Sequence, residues 1–351
     1  MKILCIGDTH FKTDNVIETD KFIFEIECYL QKNIIDIIVV MGDILHTHEK
    51  LHTIALNSAF KFFKMLIKYS KVYCLVGNHD FISNTIFLED KHWLNILKEW
   101  KNITIVDTII KTTIDQYDFY FCPYIPDGRF IEALNLTHSN EWKSATCIFA
   151  HQLLDGAKMG PIIANGVEKW DDKFPLCFSG HIHDKQKVQH NLIYVGSSTQ
   201  QAFGESEDKC LLELDYNGID IYPIQKEVYL QIKLKKLLYV DLKDVSKALS
   251  KLENNDLTSN EYKIVLKGTT DEIKAFKKTN DCKRLESIDG VKALQFKSST
   301  DHINKRANNT NSFVDLLSEL VLAEDNPYLT SMMSSMINGT EDISDKDIML
   351  I

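Results

Sequence analysis

The sequence predicts an α/β fold whose chemistry is gathered at one end of its strands. Two observations carry this. Short apolar runs rich in Ile, Val, Leu, Phe and Cys alternate with amphipathic stretches through the first part of the chain, the pattern of buried strands separated by helices. Five polar clusters follow such runs directly: GDTH (Gly7 to His10), GDILH (Gly42 to His46), GNHD (Gly77 to Asp80), FAHQ (Phe149 to Gln152) and GHIH (Gly180 to His183). Open α/β folds form their sites beyond the carboxyl ends of strands, so the five clusters are expected together.

The elements follow in order. Val16 to Gln31 has an amphipathic helical pattern, and so does His52 to Lys68, with Phe60, Phe63 and Leu66 among its apolar positions. Glu89 to Trp100 is a third candidate helix. Asp118 to Cys122, Ala145 to Ala150, Leu192 to Val195, Cys210 to Asp215 and Gly218 to Pro223 read as strands, and Tyr216-Asn217-Gly218 is a hairpin turn signal. A second unit starts near Lys226. Tyr229 to Leu234, Leu237 to Val240, Tyr262 to Leu266 and Val291 to Phe296 are strand-like, while Leu242 to Leu252 and Thr270 to Thr279 read as helices. That describes a small α+β module.

The clusters supply two Asp, one Asn and five His at strand ends: Asp8, His10, Asp43, Asn78, His79, His151, His181 and His183. These are too many donors for one tetrahedral ion, and a mixed nitrogen and oxygen set suits Mn, Fe or Zn better than Ca or Mg. Two divalent ions sharing a carboxylate fit the count. Such a pair, about 3.5–4 Å apart, can clamp both sides of an in-line phosphoryl displacement. The glycines at 7, 42, 77 and 180 permit close backbone approach beside the ions.

This ordered set resembles the calcineurin-like metallophosphoesterase superfamily. The resemblance implies a four-layer α/β/β/α sandwich. It implies one metal held by Asp8, His10, Asp43 and His183, and another by Asp43, Asn78, His151 and His181, with Asp43 as the bridge. His79 would sit over the scissile phosphate as a positioned acid for the leaving oxygen. His46, in Gly-Asp-Ile-Leu-His, looks like the repair-nuclease branch, where a histidine here approaches the phosphate. His48 and His52 read as loop and helix-start residues; His92, His138, His190 and His302 read as surface or packing residues.

Composition is that of a soluble globular protein. The eight cysteines form no Cys-x-x-Cys and lie mostly in predicted strands, as small buried residues of a reducing compartment do. The chain opens with a strand, so no signal peptide is expected, and no apolar run approaches a membrane span. The expected place is the cytoplasm or an intracellular site of replication and repair. Net charge is −10, which argues against a general polyanion binder. Yet residues 226–309 hold 18 Lys and Arg against 12 Asp and Glu. That segment could steer nucleic acid or be an ordinary solvated face.

The expected organisation is a metallophosphoesterase domain over 1–225, a cap or DNA-binding domain over 226–297, a polar linker over 298–311, a helical pair over 312–338 and an acidic tail over 339–351. In the pair, Phe313, Leu316, Leu317, Leu320 and Val321, then Leu329, Met332, Met333, Met336 and Ile337, have one-face helical spacing. Two such short helices cannot build a core alone and are expected to dock on a partner. The nuclease branch that includes bacterial SbcD carries a cap at this position and a C-terminal element that grips an SMC-like ATPase. The resemblance thus implies a Mn-dependent DNA phosphodiesterase, working as exo- and endonuclease within an SbcCD-like recombination and double-strand-break repair complex. It also implies a homodimer. The alternative is a stand-alone metallophosphoesterase acting on a small molecule or phosphoprotein.

Overall fold

The computed structural model describes residues 1–48, 50–218, 220, 222–254, 260–298 and 321. Almost all of the segment after Ser298, including the expected helical pair and acidic tail, lies outside the described residues.

Two six-stranded sheets face each other. The first runs in the order Ile224–Val228, Leu211–Asp215, Lys2–Ile6, Ile37–Val40, Lys71–Leu75, Ile103–Val106; the last four are mutually parallel. The second runs Gln186–Gln189, Leu192–Tyr194, Leu176–Ser179, Cys147–Ala150, Tyr117–Phe121, Ile110–Ile114. Alternation along each strand sorts side chains into layers. Ile3, Cys5, Val39, Tyr73 and Leu75 point between the sheets and meet Phe119, Phe121, Phe149 and Phe178. Tyr73 stacks on Phe121 with centroids 4.1 Å apart. Leu4, Ile6, Ile38, Val40 and Val72 point the other way, onto the helices Val16–Lys32 and Thr53–Leu66 through Phe22, Ile26, Phe62, Phe63 and Leu66. On the far side, Tyr120, Ile148, Cys177 and Tyr194 pack with Phe130, Leu134, Trp142 and Trp170. The result is the expected four-layer α/β/β/α sandwich.

Four local expectations are corrected. Within Glu89 to Trp100 only the 3-10 segment Trp93–Leu97 is helical. The Asn95 side-chain amide donates to the carbonyls of Asp90 and His92, a local alternative to regular helical bonding. The strand expected at Gly218 to Pro223 instead begins at Ile224, pairing antiparallel with Leu211–Asp215. Just before it, Asn217 Oδ1 accepts from Asp220 N at 3.2 Å. The two strands expected between Tyr229 and Val240 are one strand, Leu234–Asp241. The helix expected to reach Thr279 ends at Phe276, and Thr279 caps a new helix, Asn280–Ser287, through Cys282 N. The helix Phe130–His138 had no counterpart in the sequence reading.

The second unit is a three-stranded sheet of Leu234–Asp241, Asn260–Gly268 and Val291–Ser298. All three strands are parallel, and helices alternate with them. Its own small core contains Val245, Leu249, Leu252, Ile264, Leu266 and Leu285.

Candidate metal centre

The site lies where the two sheets release their chains. Lys2–Ile6, Ile37–Val40 and Lys71–Leu75 lead into Asp8 and His10, Asp43, and Asn78 and His79; from the facing sheet, Cys147–Ala150 leads into His151 and Leu176–Ser179 into His181 and His183. Asp8, His10, Asp43, Asn78 and His151 are buried. His10, Asp43 and His181 take positive φ values of 44°, 51° and 76°. For residues other than glycine this costs of order 1–3 kcal/mol each and is found where a site imposes it. Gly77 is required by space: a Cβ there would fall 2.2 Å from Asp43 Oδ1 and 2.3 Å from Asp43 N.

The donors converge in three overlapping groups, Asp8 with His10 and His183, His10 with Asp43 and His79, and Asp43 with His151 and His181, each having its ligand atoms within 4.8 Å of one another. His10 Nε2 faces His183 Nε2 at 3.0 Å and Asp43 Oδ2 at 3.6 Å. On the other side, Asn78 Oδ1 lies 3.1 Å from His151 Nε2 and 2.9 Å from His181 Nδ1, while Asp43 Oδ1 lies 3.4 Å from His151 Nε2. The Asp43 carboxylate therefore has one oxygen turned to His10 and the other to His151.

Surrounding contacts fix the rings. His151 Nδ1 donates to Met41 O at 2.7 Å, leaving Nε2 as the inward-facing nitrogen. His183 Nδ1 faces Glu205 Oε1 at 3.4 Å, so its Nε2 is likewise free to bind. A carbonyl or carboxylate on the outer nitrogen is the usual support of a metal-binding histidine. Asp8 Oδ2 accepts from His181 N at 2.9 Å, while Asp8 Oδ1 is buried with no hydrogen-bond partner.

The charges are strongly coupled. Burial raises Asp8 to about 6. Burial also pushes Asp43 up, but His151 and His10 outweigh it and hold this carboxyl below the usual range. Burial lowers His10 well below its ordinary value and His181 to about 3. Burial opposes protonation of His151 too, yet Asp43 and Asp8 lift it to about 9. A divalent cation suits this set: ring nitrogens converge at 3.0 Å, a carboxylate oxygen is unpartnered, and the oxygens and imidazoles are hard to borderline donors.

These geometric findings bring together every ligand position named from sequence. His79 and His46 are beside them. His79 N donates to Asp43 Oδ1 at 2.8 Å, and the His46 ring lies 5.4 Å from that of His10. Burial, then Lys12, lowers His46 to about 4.

The calcineurin-like phosphoesterase family model matches residues 1–185. The chain belongs to the calcineurin-like phosphoesterase family. It is 46% identical over 279 residues to "Putative phosphoesterase 244L" of Invertebrate iridescent virus 6, covering 79% of this chain and 97% of the relative. It is 35% identical over 339 residues to "Putative phosphoesterase 078R" of Invertebrate iridescent virus 3, covering 96% of each. The chain is thus a metallophosphoesterase, a hydrolase of phosphate esters in a family that uses divalent metals. No described helix is long and apolar enough to cross a membrane.

Sequence reasoning missed several supports. Asp80, inside the GNHD cluster, is buried and braces two of the loops: its carboxylate accepts from Gly77 N at 3.0 Å, Ile44 N at 3.1 Å and Trp93 Nε1 at 2.9 Å. Burial, with Asp43 nearby, raises it to about 7. Glu205 and Lys209 had no motif around them. Lys209 Nζ donates to His183 O at 2.7 Å and pairs with Glu205 at 3.5 Å. His48, read as a loop residue, stacks on His79.

Proposed function

We propose that this metallophosphoesterase is a two-metal DNA phosphodiesterase, the nuclease subunit of an SbcCD-like recombination and double-strand-break repair complex. The observation that carries the reading is the seat of the second unit. Lys235 N donates to Gln200 Oε1 at 2.7 Å, and Gln200 Nε2 donates to Lys235 O at 3.1 Å. Gln201, next in the chain, donates its N–H to Glu205 Oε2 at 2.9 Å, and Glu205 supports His183. The cap-sized unit therefore rests on the loop that backs the metal centre. Between them lies a cleft of about 630 Å³ whose lining includes Lys21, Lys233, Lys235 and Lys292, with Glu18 and Glu261 among the acids. Lysines along a groove suit a phosphate backbone.

In this reading Asp8, His10, Asp43 and His183 hold one ion, and Asp43, Asn78, His151 and His181 the other, Mn being the expected metal. When bound, such ions activate water and offset charge on the phosphoryl oxygens. His79 protonates the leaving oxygen, and His46 contacts the phosphate. The reading includes double-stranded DNA as substrate, an SMC-like ATPase docked through residues 312–338, a homodimer and an intracellular site of action. Segments 52–68 and 89–100 are our candidates for its dimer interface, and Ile54 and Ile96 within them are half exposed.

The test is cleavage of linear and hairpin duplex DNA by the full chain with Mn, Mg or chelator, beside His79→Ala. Mn-dependent cleavage lost in the variant, with metal content kept, supports the nuclease. Hydrolysis of generic phosphodiesters without DNA cleavage, also in the presence of the ATPase, would overturn it.

A further inference from the structure

His79 is held from three directions, one of them the His10 ring, which meets it edge-on at 4.9 Å. His79 Nδ1 faces the His46 carbonyl oxygen at 2.7 Å, which makes Nδ1 the donor and leaves Nε2 as the nitrogen available to substrate. One face of its ring is covered by His48, with centroids 4.4 Å apart and planes inclined by 22°. The His46 ring is more distant, at 5.8 Å. His48 Nδ1 is shielded from solvent without a hydrogen-bond partner. The His48 ring is stacked on His79. Both rings line one cleft of about 380 Å³, with Leu51, Phe81, Ile82 and Trp93 among its apolar walls.

We propose that His48 is a positioning residue for the reaction: its ring fixes the plane of His79 so that Nε2 points at the leaving oxygen. Offset stacking of flat rings is favourable beyond the area it buries, and here it adds to the Nδ1 hydrogen bond and the edge contact with His10 in restricting the His79 side chain. The proposal rests on His79 acting as the leaving-group acid. In that step water supplies the oxygen that joins phosphorus. The P–O bond to the leaving group breaks with its electron pair going to that oxygen. The oxygen takes the Nε2 proton of the His79 imidazolium, whose Nδ1–H stays on the His46 carbonyl, and a proton of the consumed water restores the imidazolium, so no other reactant is needed.

An alkoxide leaving group needs this proton, whereas 4-nitrophenolate departs without it. A misaimed acid therefore harms the first kind of ester more than the second. The experiment compares wild type, His79→Ala, His48→Ala and His48→Phe as full chains with Mn, on bis(4-nitrophenyl) phosphate and on a deoxydinucleotide. The ratio of the nitrophenyl rate to the dinucleotide rate is expected to rise by about tenfold or more in His79→Ala and in His48→Ala. His48→Phe, which keeps a flat ring, is expected to restore most of it. In metal-free protein, the NMR shifts of the His79 ring protons report the stack directly; they should move in His48→Ala and hold in His48→Phe.

A raised ratio in His79→Ala but not in His48→Ala would overturn the positioning role and leave the acid in place. An unchanged ratio in His79→Ala would remove the acid reading itself, and this proposal with it. Failure of His48→Phe to restore the ratio, with the His79 shifts held, would overturn stacking as the cause. Should His48→Ala fail to fold, His48→Leu, which keeps bulk without a flat ring, takes its place: a wild-type ratio there would overturn the positioning role, and a raised ratio would support it.

Discussion

His10 and His183 turn Nε2 toward Nε2 at 3.0 Å across the centre. His183 is held from behind by Glu205, and burial keeps His10 from taking up a proton. Without a cation these two nitrogens share a single proton, whereas a cation takes both lone pairs, so binding should stabilise the fold by mass action. Adding Mn or Zn to chelator-stripped protein is expected to raise Tm, with about 2.7 kcal/mol per site at a hundredfold excess over Kd. His183→Ala should lose much of that rise. Equal rises in variant and wild type, by calorimetry, would count against His183 as a ligand.

Gly77→Ala tests how tightly the loops are packed. The added methyl would meet Asp43 Oδ1 and Asp43 N well inside contact distance, and the backbone nitrogen cannot move aside like a flexible side chain. Overpacking of this kind costs about 1–3 kcal/mol or more. The variant should lose stability in urea and bind less than the wild-type amount of metal by elemental analysis. Wild-type metal content would show that the loops give way more easily than this geometry implies.

The fold and the convergence of these donor residues were legible for the same reason. Buried strands such as Ile37–Val40 must be apolar, so Asp43 just beyond one stands out as polar where packing alone would not ask for it. His48 carried no such contrast: it sits in a polar stretch, and its value lies in a ring contact across 31 positions to His79 (79 − 48). Glu205 was hidden for a similar reason, since only the folded loop brings it to His183. The helix misread over Glu89 to Trp100 shows the reverse limit. Apolar spacing was present, but the Asn95 side chain competed for the local carbonyls.

Gln200→Ala should loosen the seat of the second unit without opening the sandwich. The wild-type side chain accepts from Lys235 N and donates to Lys235 O, while the sheet partners of Leu234–Asp241 are in its own unit. Losing such bonds costs about 1–3 kcal/mol locally. Hydrogen exchange at the Lys235 amide should speed up about tenfold or more, with amides of Lys2–Ile6 unaffected. Slow exchange at Lys235 in the variant would mean that other contacts hold the unit in place.

Asp107 offers a pH-resolved test away from the metal centre. Its Oδ2 accepts from His92 Nε2 at 3.2 Å and pairs with Lys98 Nζ. Burial pushes this carboxyl up, but the bonds from His92 and Lys98 win and bring it down to about 2. The folded-state pKa is thus below the unfolded one, near 3.9. Stability from Asp107 is present above the unfolded pKa and disappears as pH falls through the folded value. Asp107→Asn should therefore be less stable than wild type by about 1–2 kcal/mol at pH 7, after allowing for solvent screening of the lysine. The gap should persist to pH 5, narrow below about pH 4 and close near pH 2. Urea titrations across that range measure it in metal-free protein. A gap independent of pH would mean that lost packing, not the charge on Asp107, sets the difference.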